Sequence, residues 1–245
     1  MLSLFDGRPA SEIEIAHAGE IYRVALRRVA SSRRYTLRVR AASRDVLLTM
    51  PARGTLKAAR EFAERHAAWI GVRLARLPKP IAFAPGETVP LRGVEHRIVH
   101  RPHTRGVVWL EPEAICVAGE AAHVPRRVAD YLKREARRDL EAAVARHAAA
   151  LSVKPRRISL RDTASRWGSC SSSAALNFSW RLILAPPYVL DYLAAHEVAH
   201  IVHMNHSPMF WTLTRRLFPE TDRAEAWLKA HGAGLHRFGA ASAAP

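Results

Sequence analysis

Cysteines, acidic residues and long apolar runs are all scarce in this chain, and each scarcity removes a class of protein. The only two cysteines, Cys116 and Cys170, stand far apart with no C-x-x-C between or around them. That excludes a disulfide framework and a thiolate zinc site, and it suits a reducing compartment. No window approaches the roughly 18 or more apolar residues of a membrane span, so no membrane association is expected. The N-terminus, "MLSLFDGRPASEIEIAHAGE", lacks a basic start followed by a continuous apolar run. A secretory signal is therefore not expected, and a cytoplasmic location is. No glycine-rich phosphate loop or recognised nucleic-acid motif is present. Acidic residues number 22 against 38 Lys and Arg, a formal net charge of +16. Such a field attracts phosphate-bearing partners, nucleic acid or nucleotide, through a basic surface. An arginine-rich background spread over solvated faces would give the same balance. The pairs Arg27-Arg28, Arg33-Arg34 and Arg137-Arg138 are indeed dispersed.

With 245 residues, of which 49% are hydrophobic, the chain can bury a sizeable core as one large domain or two small ones. The first half reads as short strands with one helix. Strands are predicted over 22–29, 35–40, 45–50, 96–100 and 106–110, from alternation and β-branched content between turn-like clusters. Leu56, Ala59, Phe62, Ala63, His66 and Ile70 recur at helical spacing within 55–77, with Pro78 and Pro80 just beyond. From Pro125 the texture changes to a long amphipathic helix with Val128, Leu132, Leu140 and Val144 on one side. Segments 154–160 and 175–185 are strand candidates around the turn "GSCSSS". Pro186-Pro187 then starts a helix expected to run to about Met204. The fold class is α+β, with an N-terminal extension (1–20), a β-rich half (21–122), a helical half (123–238) and a frayed tail (239–245). The soft boundary lies near 120–125, and the two halves can still share one domain. No internal repeat is visible.

The chemistry concentrates in "HEVAHIVHMNHSPMF", residues 196–210. His196, Glu197 and His200 spell H-E-x-x-H, which informs only on a helix. There, residues four apart share a face, so both imidazoles can reach one Zn²⁺ at about 2.1 Å while the glutamate takes a proton from a metal-activated water. A bare motif also arises by chance on exposed helices in a chain with 13 histidines. The mostly apolar context of 187–204 argues against casual surface residues. For a third ligand, His203 lies about 10 Å further along the helix axis and converges poorly with the others. It better suits a cleft lining, or a simple packed histidine. His206 follows Asn205, a residue that tolerates the left-handed end of a helix, and precedes Ser207-Pro208, a start signature for the next one. It can therefore swing back towards His196 and His200. Glu220 and Glu225 remain alternatives.

The stretch "RDTASRWGSCSSSAALNFSWRLILAPPYVLDYLAAHEVAHIVHMNHSPMFW" resembles the YgjP-like (WLM-type) zinc metallopeptidase family, itself similar to SprT-like proteases. The resemblance rests on Arg166-Trp167-Gly168-Ser169-Cys170 paired with H-E-x-x-H and a histidine in an "NHS" turn. It extends over most of the chain, including the basic strands near 27–50 and the end "WLKAHGAGLHR". It implies a zincin-like fold and one zinc per chain on His196, His200 and His206, with Glu197 as base and then proton donor. By analogy with zincins, the strand within 176–184 would pair with an extended protein or peptide substrate. Arg166, Tyr192 and His203 are candidates for substrate or oxyanion contacts. Trp167 and Cys170 read more simply as packing residues, and Asp162, Ser165 and Ser169 as turn formers. The resemblance names no substrate. The alternatives are a metal-dependent hydrolase of a nucleotide phosphoanhydride, and a basic nucleic-acid-associated protein with a structural metal.

Overall fold

Four strands escape the periodicity reading: Ser11–His17, Thr88–Leu91, Ala114–Val117 and Gly168–Cys170. All are short or lie in segments read as connections, and pairing with distant partners makes them strands. The structure, a computed structural model, describes residues 11–40, 44–163 and 166–239. Ser165 and the tail from residue 240 lie outside the described residues, as do positions 1–10 of the expected N-terminal extension. The chain divides into two compact units, Met1–Lys79 and Pro80–Pro245.

The first unit is a four-stranded sheet of β1 (Ser11–His17), β2 (Glu20–Val29), β3 (Thr36–Val39) and β4 (Val46–Pro51), ordered β1-β2-β4-β3. β2 and β4 run parallel, and the outer pairings are antiparallel. Because β1 pairs along its length with β2, this part of the expected extension belongs to the sheet. The single helix expected over 55–77 is two helices, α1 (Leu56–Arg65) and α2 (Ala67–Ala75), broken at His66. The His66 ring bonds the Phe62 carbonyl at 2.8 Å, the acceptor that its own backbone amide would otherwise use. That amide turns to Ala63 instead. Ala59, Ala63, Ala67 and Ile70 cover one face of the sheet, against Val24, Leu26, Leu48 and Met50.

The second unit opens with β5 (Thr88–Leu91), β6 (Val94–His100), β7 (Val108–Glu111) and β8 (Ala114–Val117), ordered β5-β6-β8-β7. This repeats the strand order and directions of the first sheet, a topological repeat with no counterpart visible in the sequence. The long helix α3 (Val124–Ala150) follows, carrying Val128, Leu132, Leu140 and Val144 on its buried side. These residues share one core with Val89, Ile98 and Ile115 of the sheet and Val198 further on. The division between the two units falls at Lys79 and Pro80. Arg92, in the β5–β6 turn, ties that turn to α3 through Asp139 (2.7 Å) and Glu135 (2.8 Å).

A three-stranded sheet comes next: β9 (Arg157–Arg161), β10 (Gly168–Cys170) and β11 (Ala175–Ser179), ordered β10-β11-β9. The strand expected over 175–185 stops at Ser179, and Trp180–Leu184 form a 3-10 helix. The buried Arg181 explains the turn. It pairs with Asp162 at 2.7 Å and donates to the carbonyls of Leu235 (3.2 Å) and Phe238 (2.6 Å). Three helices complete the unit: α4 (Pro187–Val202), α5 (Pro208–Leu217) and α6 (Thr221–Leu235). The molecule is thus mixed α and β, β-rich in its first half and helical towards its end. Among the described residues, no helix is long and apolar enough to cross a membrane.

Candidate metal centre

α4 begins with Pro187 in its first turn, where a missing N–H costs nothing. Its apolar residues on several sides make it a core helix, and it brings His196, Glu197 and His200 into the interior at its C-terminal end. Glu197 is 4% exposed and His200 is 8% exposed. The helix ends at Val202, earlier than the expected Met204. His203 is extended (φ −129°, ψ 103°), so no left-handed Asn205 terminates it. Ser207 caps α5 by accepting from the Phe210 amide, and Pro208 occupies the first turn. The short reversal between the helices carries His206 back over α4.

Three imidazoles meet there. The Nε2 atoms of His196 and His206 are 3.2 Å apart, and one nitrogen from each of His196, His200 and His206 lies within 4.8 Å of the others. The second ring nitrogens of His200 and His196 are tied outward. The Nδ1 of His200 bonds the backbone carbonyl of His203 at 3.0 Å, and the Nδ1 of His196 lies 3.2 Å from Tyr192 Oη. Phe210, wholly buried, forms the floor, with its ring centroid 4.4–4.9 Å from all three imidazoles. Burial, followed by the proximity of His200 and His206, pushes His196 down to about 3, so its ring is neutral. Burial lowers His200 as well, against the opposing pull of its bond to the His203 carbonyl. Imidazoles whose ring nitrogens converge in this way are the donor set that divalent transition metals take.

Glu197 lies beside this cluster, and burial pushes it up to about 8, with Arg166 pulling the other way. Its Oε2 is buried with no hydrogen-bond partner. Gly168 of β10 lies directly against it. A Cβ there would fall 2.8 Å from both Cγ and Cδ of Glu197, so only hydrogen fits. Sequence reasoning read Gly168 as a turn glycine and missed this contact, because nothing local links residue 168 to residue 197. Trp167, Gly168, Tyr192, His196, Glu197 and Glu225 line a cavity of about 270 Å³.

β10 is an edge strand. The Trp167 carbonyl accepts from Ser179 N (2.8 Å) and Ser171 N donates to the Ala175 carbonyl (3.0 Å). By alternation, the backbone groups of Gly168 and Cys170 point away from β11. The segment 176–184 does not offer the expected edge, since β11 is the middle strand and the rest is the 3-10 helix.

The other candidates have specific places. Tyr192, 3% exposed, donates to Glu225 Oε1 at 2.9 Å, so its proton is already committed. Glu225 bonds Tyr192 and lies outside the histidine group, while Glu220 pairs with Arg223. His203 acts through its carbonyl rather than its ring. Arg166 is exposed, with its charge near Glu197. Trp167 stacks on His236 at 5.0 Å and lies over Gly232, and the half-buried Cys170 thiol is pushed up by burial and by Glu197. Both pack against the core, and Trp167 also lines the cavity.

Comparison with known proteins adds one match. The family model described as YgjP-like, metallopeptidase domain, matches residues 33–231. No curated protein and no solved structure matches.

Proposed function

The chain belongs to the YgjP-like metallopeptidase domain family, and on that premise we propose that it is a zinc-dependent peptidase of the zincin type. Membership makes it a metallohydrolase in general. The finer reading is carried by one observation: three convergent imidazoles beside a buried glutamate oxygen that has no partner. His196, His200 and His206 would hold the metal. The 3.2 Å between two of their Nε2 atoms is close to the roughly 3.3 Å edge of a tetrahedral zinc site with bonds of about 2.0–2.1 Å. When bound, zinc would polarise the scissile carbonyl and acidify water in its open position.

The chain's own groups would do the rest. Glu197 takes a proton from the attacking water at Oε2 and returns it to the leaving nitrogen, a role that its place beside the histidine cluster suits, where a bound cation would favour its ionised form. Gly168 holds that carboxylate in place by leaving it room and no more. An extended peptide adds to the β10 edge through the outward backbone groups of Gly168 and Cys170, a sequence-tolerant mode of binding. Tyr192 cannot serve as the oxyanion donor while its hydroxyl donates to Glu225. Arg166 is the better candidate, being exposed and near enough for its positive charge to act on Glu197. The same guanidinium favours a second reading, hydrolysis of a nucleotide phosphoanhydride, in which Arg166 would bind phosphate.

Metal content of the native protein and of His206→Ala, measured together, tests the ligand set. About one zinc per chain is expected in the first and little in the second. Undiminished zinc in His206→Ala would overturn the assignment. A parallel screen of unfolded proteins, peptides and nucleoside triphosphates, with Glu197→Gln as control, decides the bond. Turnover of nucleotides alone would reject the peptidase reading, and full activity in Glu197→Gln would remove the proposed base.

A further inference from the structure

We propose that Glu225, acting through Tyr192, is a positioning device that keeps the proton of His196 on Nδ1 and so directs its Nε2 lone pair into the histidine cluster. The proposal rests on the reading of that cluster as a metal site. A carboxylate only accepts, so the 2.9 Å contact between Tyr192 Oη and Glu225 Oε1 takes the phenol's one proton. What Tyr192 then presents to His196 is a lone pair, at 3.2 Å from Nδ1. A hydrogen bond there requires Nδ1–H, and that leaves Nε2 unprotonated, facing the Nε2 of His206. His200 is held in the same tautomer by a different acceptor, the carbonyl of His203.

Position along the chain explains why these two residues can do this. Tyr192 and His196 stand four apart on α4 and share a face. Glu225 comes from α6, two helices later, so one carboxylate couples that helix to the centre. Tyr192 is almost fully buried, which keeps water from competing for either bond. Outer partners of this kind typically govern metal affinity by about 10- to 100-fold.

Zinc affinity of the full chain, measured by competition with a chromophoric chelator, tests the idea, with thermal melts of the zinc-free proteins as a fold control. Tyr192→Phe and Glu225→Ala should each weaken zinc by roughly 10- to 100-fold. The double variant should be no weaker than either single one, because one chain of bonds is cut in each case. Glu225→Gln, which keeps an acceptor oxygen, should lose less than Glu225→Ala and serves if either larger change fails to fold. The cobalt(II) absorption spectrum should shift in Tyr192→Phe, reporting a reoriented ligand that a packing role would not move.

Native affinity in Tyr192→Phe would overturn the proposal, as would additive losses in the double variant. Loss of zinc in Glu225→Ala as complete as in His206→Ala, with Tyr192→Phe unaffected, would make Glu225 a ligand and refute the positioning role. Failure of the wild-type chain to take up zinc would instead overturn the metal reading beneath it.

Discussion

Replacing Gly168 with alanine puts one methyl group where β10 passes over Glu197, and the consequences can be worked out from the contact. The new Cβ would lie 2.8 Å from both Cγ and Cδ of Glu197. Carbon atoms normally approach to about 3.5 Å, so roughly 0.7 Å must be found. Glu197 is 4% exposed on a helix packed on several sides, so its backbone has little room to retreat, and the carboxylate must swing. Overpacking of this kind costs about 1–3 kcal/mol. In a unit of this size that lowers the melting temperature by roughly 2–10 °C. A shift approaching 1 Å in a reacting group costs about 100-fold in rate. Gly168→Ala should therefore hold zinc normally, melt slightly earlier and turn over about 100-fold more slowly. Two further glycines calibrate the series. Gly232→Ala meets the Trp167 ring at 3.1–3.3 Å and should be mildly destabilised with near-normal turnover, whereas an added Cβ on Gly234 meets nothing within 4 Å. Gly234→Ala, near the end of α6, should be neutral or stabilised by about 0.5–1 kcal/mol. Zinc content, melting curves and steady-state kinetics on the four proteins provide the comparison. Wild-type turnover in Gly168→Ala, with the zinc in place, would refute the argument that this glycine sets the position of Glu197.

Phe210→Ala removes the wholly buried floor beneath three imidazoles and should cost about 3–5 kcal/mol by chemical denaturation, with weaker zinc binding in the folded fraction. Burial alone would push the Asp191 carboxyl up, but bonds from His147 at 2.7 Å and Arg146 at 2.8 Å outweigh it and hold the carboxyl below its ordinary value. Its stabilisation is then complete above the unfolded value near pH 4 and fades as pH falls through the lower folded value. The gap in unfolding free energy between wild type and Asp191→Asn should accordingly narrow as pH falls below about 4.

Much of the secondary structure was legible because it follows from local rules. The apolar stripe of α3, the proline start of α4 and the Ser207-Pro208 start of α5 each depend on residues a few positions apart. Two misreadings have a common cause. The helix over 55–77 breaks where the His66 side chain takes the Phe62 carbonyl. The strand over 175–185 is cut short where Arg181 turns inward to Asp162 and the end of α6. In each case a hydrogen bond outweighed a propensity worth a fraction of a kcal/mol per residue.

At the candidate site, the sequence alone determined that His196 and His200 share a helical face and that the chain reverses at His206, since i, i+4 spacing and capping chemistry are properties of adjacent residues. Only the tertiary structure decided which other groups meet them. Gly168 presses on Glu197, Glu225 accepts the Tyr192 hydroxyl hydrogen bond, the His203 carbonyl rather than its ring faces His200, and β10 rather than β11 offers the open edge. These contacts join elements far apart in the chain, and their geometry is set by how the helices pack on the sheet, which no local pattern encodes.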